Sequence, residues 1–151
     1  MSSIINAVRE YISTCPYLEE GRILGVDRLG ADPIEYTIDT VPCEPIIKEY
    51  TGGSTERQFE FIFGSCEKYG QDILQNIFNS EFYEKFADWI ERNNWNRIYP
   101  DLGEFRTVNK IEILTNGSAF EVGSNTSRYQ IQMRIIYFQD RRYFNNGKRY
   151  R

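Results

Sequence analysis

Between Arg128 and Phe138 the chain reads Arg-Tyr-Gln-Ile-Gln-Met-Arg-Ile-Ile-Tyr-Phe, and apolar and polar side chains alternate almost without a break. Successive side chains of an extended strand point to opposite faces. Tyr129, Ile131, Met133, Ile135 and Tyr137 would therefore line one face, and Gln130, Gln132 and Arg134 the other. A helix would scatter both sets around its circumference. The pattern predicts a half-buried strand whose apolar face the other elements must cover. Ile136 and Phe138 break the polar side, so that end is expected to be covered on both faces.

Other segments supply the cover. Ser2 and Ser3 can cap a first helix carrying Ile4, Ile5, Val8, Tyr11 and Ile12 at helical spacing, with Pro16 beyond its end. Residues 17–33, with Gly21, Gly25, Gly30 and Pro33, read as a long irregular connection. Ile34 to Val41 alternates as a strand, and Pro42 and Pro45 put the next segment at a bend or sheet edge. Residues 45–50 and 56–63 face each other across a turn containing Gly52 and Gly53, the pattern of a hairpin whose Phe59, Phe61 and Phe63 point to the core. Ile73, Leu74, Ile77, Phe78, Phe82, Phe86, Trp89 and Ile90 form a helical stripe, which Asn79 and Ser80 are expected to divide into two helices. Residues 97–109 read as a second loop. Lys110 to Leu114 and Ala119 to Val122 form a hairpin about Asn116-Gly117, leading into the long strand. The expected fold is α+β: a mostly antiparallel sheet of about four to six strands with helices on one face. One domain spans 1–140, followed by a basic aromatic arm, 141–151.

Composition narrows the chemistry. The 151 residues suffice for one core but hardly for two, and 40% apolar with 15% aromatic residues suits a folded domain. With no histidine, the usual general base and commonest metal ligand are missing, and Ser-His or Cys-His catalysis is excluded. Cys15, Cys43 and Cys66 lack metal-site or disulfide spacing and read as reduced thiols. Thr51-Gly52-Gly53-Ser54 lacks the spacing of a phosphate-binding loop. Asp39 with Glu44, or Asp101 with Glu104, could be imagined around a divalent ion, but neither pair has the second acid and lysine on one strand that such nucleases use. Solvated loop acids are the simpler reading, so no catalytic, cofactor or metal site is expected. The opening residues contain no apolar run and no window approaches the length of a membrane span, so an unsecreted protein without a membrane segment is expected.

Charge is unevenly distributed. The formal net charge is −4, and because residues 141–151 alone carry +5, the rest of the chain carries −9. An acidic body is poorly suited to phosphate binding. The arm interleaves Arg141, Arg142, Arg149 and other cations with Tyr143, Phe144 and Tyr150. Three readings fit: a peptide arm anchoring on an acidic neighbour, a frayed end, or a nucleic-acid binder. Arg57, Gln130, Gln132, Arg134, Arg141, Arg142, Tyr143, Phe144, Arg149 and Tyr150 are the candidate protein-contact residues.

The segments Pro45–Tyr50, Arg57–Ser65, Asn79–Phe86 with Trp89 and Ile90, Lys110–Gly117 and Asn125–Gln132 resemble a family of small proteins of Gram-positive phages and prophages, the tail terminators, also called tail-completion or minor capsid proteins. The resemblance covers about residues 4–139 and includes no catalytic motif. It implies a structural virion protein that forms a homohexameric ring, caps the tail tube, stops its elongation and joins it to the head-tail connector at the tail-neck junction. Its neighbours would be copies of itself, the tail tube and connector proteins and, as a further candidate, the tail sheath protein. Genomic DNA would pass the lumen unbound, as an acidic ring favours. The product would be made in the host cytoplasm. A neck adaptor or stopper is the nearest alternative; a nucleic-acid binder using the arm is more remote. The long strand's polar edge, the hairpin at 50–57 and the loop at 17–33 are the expected contact patches.

Overall fold

The computed structural model describes residues 3–18, 24–26, 36–68, 73–115, 118–122 and 126–145. The elements in order are α1 (Ile4–Ile12), β1 (Leu24–Val26), β2 (Tyr36–Val41), β3 (Ile46–Glu49), β4 (Thr55–Lys68), α2 (Ile73–Asn96), β5 (Arg106–Ile113), β6 (Ser118–Val122), β7 (Thr126–Gln139) and α3 (Arg142–Asn145). The predicted Arg128–Phe138 strand is the middle of β7, which pairs along all 14 of its residues with β4, from Thr55↔Gln139 to Lys68↔Thr126. β5 and β6 share the other side of β7, and β2 and β3 share the far side of β4.

The α+β class with a mostly antiparallel sheet is as expected, and among the described residues the sheet has seven strands. The addition is β1, which lies within the segment read as an irregular connection and pairs parallel to β2. The organising strand is also no edge, because both rows of its backbone groups are paired, so only its polar face is available for contact.

One face of the sheet carries the core. Phe61, Phe63, Ile131, Met133, Ile135, Tyr129 and Tyr137 are buried there, with Tyr36, Ile38, Val108 and Ile111 from the flanking strands. Above them lie Val8, Tyr11 and Ile12 of α1 and Tyr83, Phe86, Trp89 and Ile90 of α2. Each fully buried Ile, Met or Phe contributes about 1.5–3 kcal/mol relative to exposure, so this face dominates stability. Phe63 and Phe86 stack with centroids 4.6 Å apart at 19°. Ser3 caps α1 as expected, its Oγ accepting from the Asn6 amide at 3.2 Å.

The expected division at Asn79-Ser80 does not occur: α2 is one helix of 24 residues. Nothing between 73 and 96 is Pro or Gly, and the interior cost of Asn or Ser is only about 0.5–0.7 kcal/mol each, well below what burial of the aromatic stripe returns. The helix ends where Arg97 takes a left-handed φ of 56°. The Ile98 amide then donates to the Asn93 carbonyl at 2.8 Å, closing the last turn as a Schellman motif.

Polar contacts fix α2 against the sheet. The Tyr83 hydroxyl donates to the Tyr129 carbonyl at 3.2 Å and lies 2.7 Å from Ser65 Oγ. Tyr11 Oη donates to the Ile98 carbonyl and accepts from Asn93 Nδ2. Burial pushes this phenol up to about 12, against the pull of the Asn93 donor. Asn94 closes the outer edge of β5: its Nδ2 donates to the Ile111 carbonyl at 2.7 Å and its Oδ1 accepts from the Ile111 amide at 3.0 Å. One side chain thus satisfies both backbone groups that a neighbouring strand would have paired.

Asn94→Ala is therefore expected to destabilise the fold by about 1–3 kcal/mol, seen as a lower denaturant midpoint at unchanged slope. Arg97→Gly is expected to do the opposite, removing roughly 1 kcal/mol of left-handed strain and raising Tm by about 2–4 °C.

Candidate interaction surfaces

No helix among the described residues covers the second face of the sheet in the way α1 and α2 cover the first. Strand alternation places Gln58 and Glu60 of β4, Lys110 and Glu112 of β5, and Gln130, Gln132 and Arg134 of β7 on this side. The predicted polar residues of β7 are here and half-buried, and Gln132 and Arg134 are cross-linked to their neighbours. Arg134 stands between Glu60 and Glu112 in the register. Its Nε and Nη2 meet Glu112 Oε1 at 2.7 and 2.6 Å, and its Nη1 donates to Gln58 Oε1 at 2.9 Å. Gln132 Nε2 donates to Glu60 Oε2 at 3.3 Å, and Lys110 Nζ lies 3.6 Å from Glu112. The Arg134 hydrogen bond is the main reason the Glu112 carboxyl is held below the usual carboxylate range. Such a ladder fixes the surface across three strands.

Arg57 and Arg141 to Phe144 gather at one end of the sheet. Arg57 lies opposite Tyr137, and Gln139 lies between Thr55 and Arg106. After Gln139 the chain turns: the Asp140 amide donates to the Phe105 carbonyl at 2.7 Å and the Arg141 amide to Ser54 Oγ at 3.2 Å. Gly53 turns the chain here at a φ of 95°, a conformation that glycine adopts without strain, and the Arg141 side chain lies along it. Asp140 holds Arg142 through its Nε and Nη2 at 3.0 and 3.1 Å, which together with the Arg142 backbone amide keeps the Asp140 carboxyl below its ordinary range. Short α3 then lays Tyr143 and Phe144 back on the sheet. The Arg106 guanidinium sits 4.1 Å from the Tyr143 ring centre and 5.7 Å from that of Tyr137, and Arg57 sits 5.7 Å from Phe144. Burial pushes the Tyr137 phenol up, against the pull of Arg106 and Arg57. The first part of the arm therefore packs on its own chain. Arg149 and Tyr150 lie outside the described residues.

The candidates thus form two groups, Gln130, Gln132 and Arg134 on the open face and Arg57 with Arg141 to Phe144 at the sheet end. Glu112 and Arg106, the partners that complete them, were not singled out in the sequence. Glu112 had a signal, since it alternates outward with Lys110. Arg106 had none, because it falls in the segment read as a loop. Trp95, which the predicted helical stripe leaves out, is 88% exposed, and Ile98 after it is 53% exposed. Its position off the buried stripe of Phe86, Trp89 and Ile90 was the available clue.

The residues considered for chemistry are separate. Asp101 Oδ1 accepts from the Gly103 amide at 2.9 Å, closing its own turn. Asp39 lies on β2, in register with Ile62. Among the described residues no group of three His, Cys, Asp or Glu side chains could hold a metal ion, and no helix is long and apolar enough to cross a membrane. Cys15 is buried, and desolvation raises its thiol. Comparison with known protein families finds no match, and no curated protein is significantly similar in sequence.

The Glu112–Arg134 pair predicts an acid response. A depressed folded pKa means that the unfolded chain binds the proton first, so the pair's stabilisation is present above the unfolded value of about 4.3 and fades as pH falls through the folded value. Glu112→Gln should be less stable than the natural chain at pH 6, and the gap should narrow below about pH 4 in denaturant titrations.

Proposed function

We propose that the chain is a structural virion protein of the tail-terminator type. A ring of its copies would cap the tail tube, stop its elongation and join it to the head connector, at the tail-neck junction. The observation that carries this reading is that the family-like segments form one connected framework. They supply β3, most of β4, the middle of α2, much of β5 and the first half of β7, with residues 116, 117 and 125 outside the described part. A sheet with its apolar face under helices and its polar face pinned by side-chain pairs suits a protein whose work is contact. The absence of histidine from the sequence supports a non-enzymatic role, and the −9 charge outside the arm supports a lumen that repels DNA. Copies of the chain, the tube protein and the connector are the proposed neighbours, with sheath a further one.

Electron micrographs of the purified protein, alone and with tail tubes, test this reading. Rings seated on tube ends are the expected result. Unchanged tubes beside a strictly monomeric protein at high concentration would overturn it, and decoration of the head portal alone would favour a neck adaptor or stopper.

A further inference from the structure

The arginine and aromatic cluster at the sheet end is built but electrically unfinished. Arg57 donates from Nε to Thr55 Oγ1 at 3.0 Å, and Arg106 from Nε to Gln139 Oε1 at 3.0 Å, both neutral acceptors. Neither forms an ion pair among the described residues, and Arg141, whose side chain lies along Gly53 at the same end of the sheet, is exposed, whereas Arg142 is matched by Asp140. Guanidinium groups held on ring faces keep their outer N–H groups directed away and lose little freedom on meeting a carboxylate. Phe144, 54% exposed, adds an apolar contact next to Arg57.

The same chain carries a complementary surface elsewhere. On α2 the exposed residues Glu81, Glu84, Asp88 and Glu91 recur at spacings of three and four and so share one stripe, which runs into Trp95 one turn later. None of these acids forms an ion pair among the described residues. The helix cations Lys85 and Arg92 are drawn to one flank, where Lys85 lies 6.0 Å from the Tyr17 ring and Arg92 Nη2 donates to the Tyr17 hydroxyl at 3.0 Å.

We infer that copies of this chain associate head to tail, the Arg57, Arg106 and Arg141 platform of one receiving the acidic seam and Trp95 of the next copy's α2. Carboxylates meet guanidinium forks, and the exposed aromatics Trp95 and Phe144 supply apolar anchors of the kind that dominate interfaces. Two different patches of one subunit are joined, so the contact is heterologous and can close into a ring. It rests on the self-association in the proposed function and supplies the interface for it.

The test uses the full chain in two charge-reversed forms, Glu84→Lys with Asp88→Lys and Arg57→Glu with Arg141→Glu, with folding checked by circular dichroism. Sedimentation of the natural chain should show association that weakens with salt. Each variant alone should associate about tenfold or more weakly, because like charges face each other. An equimolar mixture should recover association, since each variant complements the other. If the Arg57 change prevents folding, Arg141→Glu alone takes its place, and Trp95→Ala should weaken association without altering its salt dependence. Variants that assemble like the natural chain, or a mixture that recovers nothing, would overturn this interface while leaving the ring open to another. A natural chain that is monomeric without tubes also overturns it, and tube capping then judges the ring reading separately.

Discussion

The register between β4 and β7 is the constraint on which the rest depends. Because side chains alternate with a period of two, a slip of one residue would turn Ile131, Met133 and Ile135 from α1 and α2 towards the open face and bring Gln132 and Arg134 under the helices. The cost would be several buried apolar side chains together with unmatched charge, comparable to the whole of an ordinary domain's margin of about 5–15 kcal/mol. That one alignment also puts Ser65 beside Tyr129 for the Tyr83 hydroxyl, Glu60 beside Arg134, and Arg57 beside Tyr137.

The two faces use polar groups differently. Under the helices, hydroxyls and amides on otherwise apolar surroundings each have a defined partner, as with Tyr83 and with Tyr11 and Asn93. A buried polar group left unmatched there would cost about 1–3 kcal/mol, so these contacts select one seating of α2 over its rotated or shifted alternatives. On the open face, Glu112, Arg134 and Gln58 remain partly in water, where each bond adds little to stability. Their effect is geometric, since long side chains that could sweep solvent are held flat along the strands.

Much of this was legible in the sequence, for local reasons. The alternation of β7, the phenylalanines of β4, the hairpin turn at Gly52-Gly53 and the cap at Ser3 all follow from spacing and turn chemistry. What escaped depended on partners distant in the chain. β1 has three residues, one of them glycine, and is a strand only because β2 lies parallel to it. Asn94 looks like any polar residue near a helix end until β5 places Ile111 against it. Arg106 acquires its role only when Gln139 and Tyr143 return beside it. Asn79 and Ser80 misled in the other direction, because their weak local preference for a break yields to a helix anchored over the sheet.

The central ladder has a kinetic consequence. Lys68 and Thr126 are 58 positions apart, and Thr55 and Gln139 are 84. Contacts so far apart in sequence form late and slowly, after the β3–β4 hairpin and helical turns that need only near neighbours. Arg57, Arg106 and the Asp140 turn come from three strands that this closure alone brings together. The cationic end of the sheet is therefore absent from partly folded chains and exists only when the sheet is complete. A subunit that presents it has finished folding, so association through that end would draw on completed subunits and pass over those still in progress.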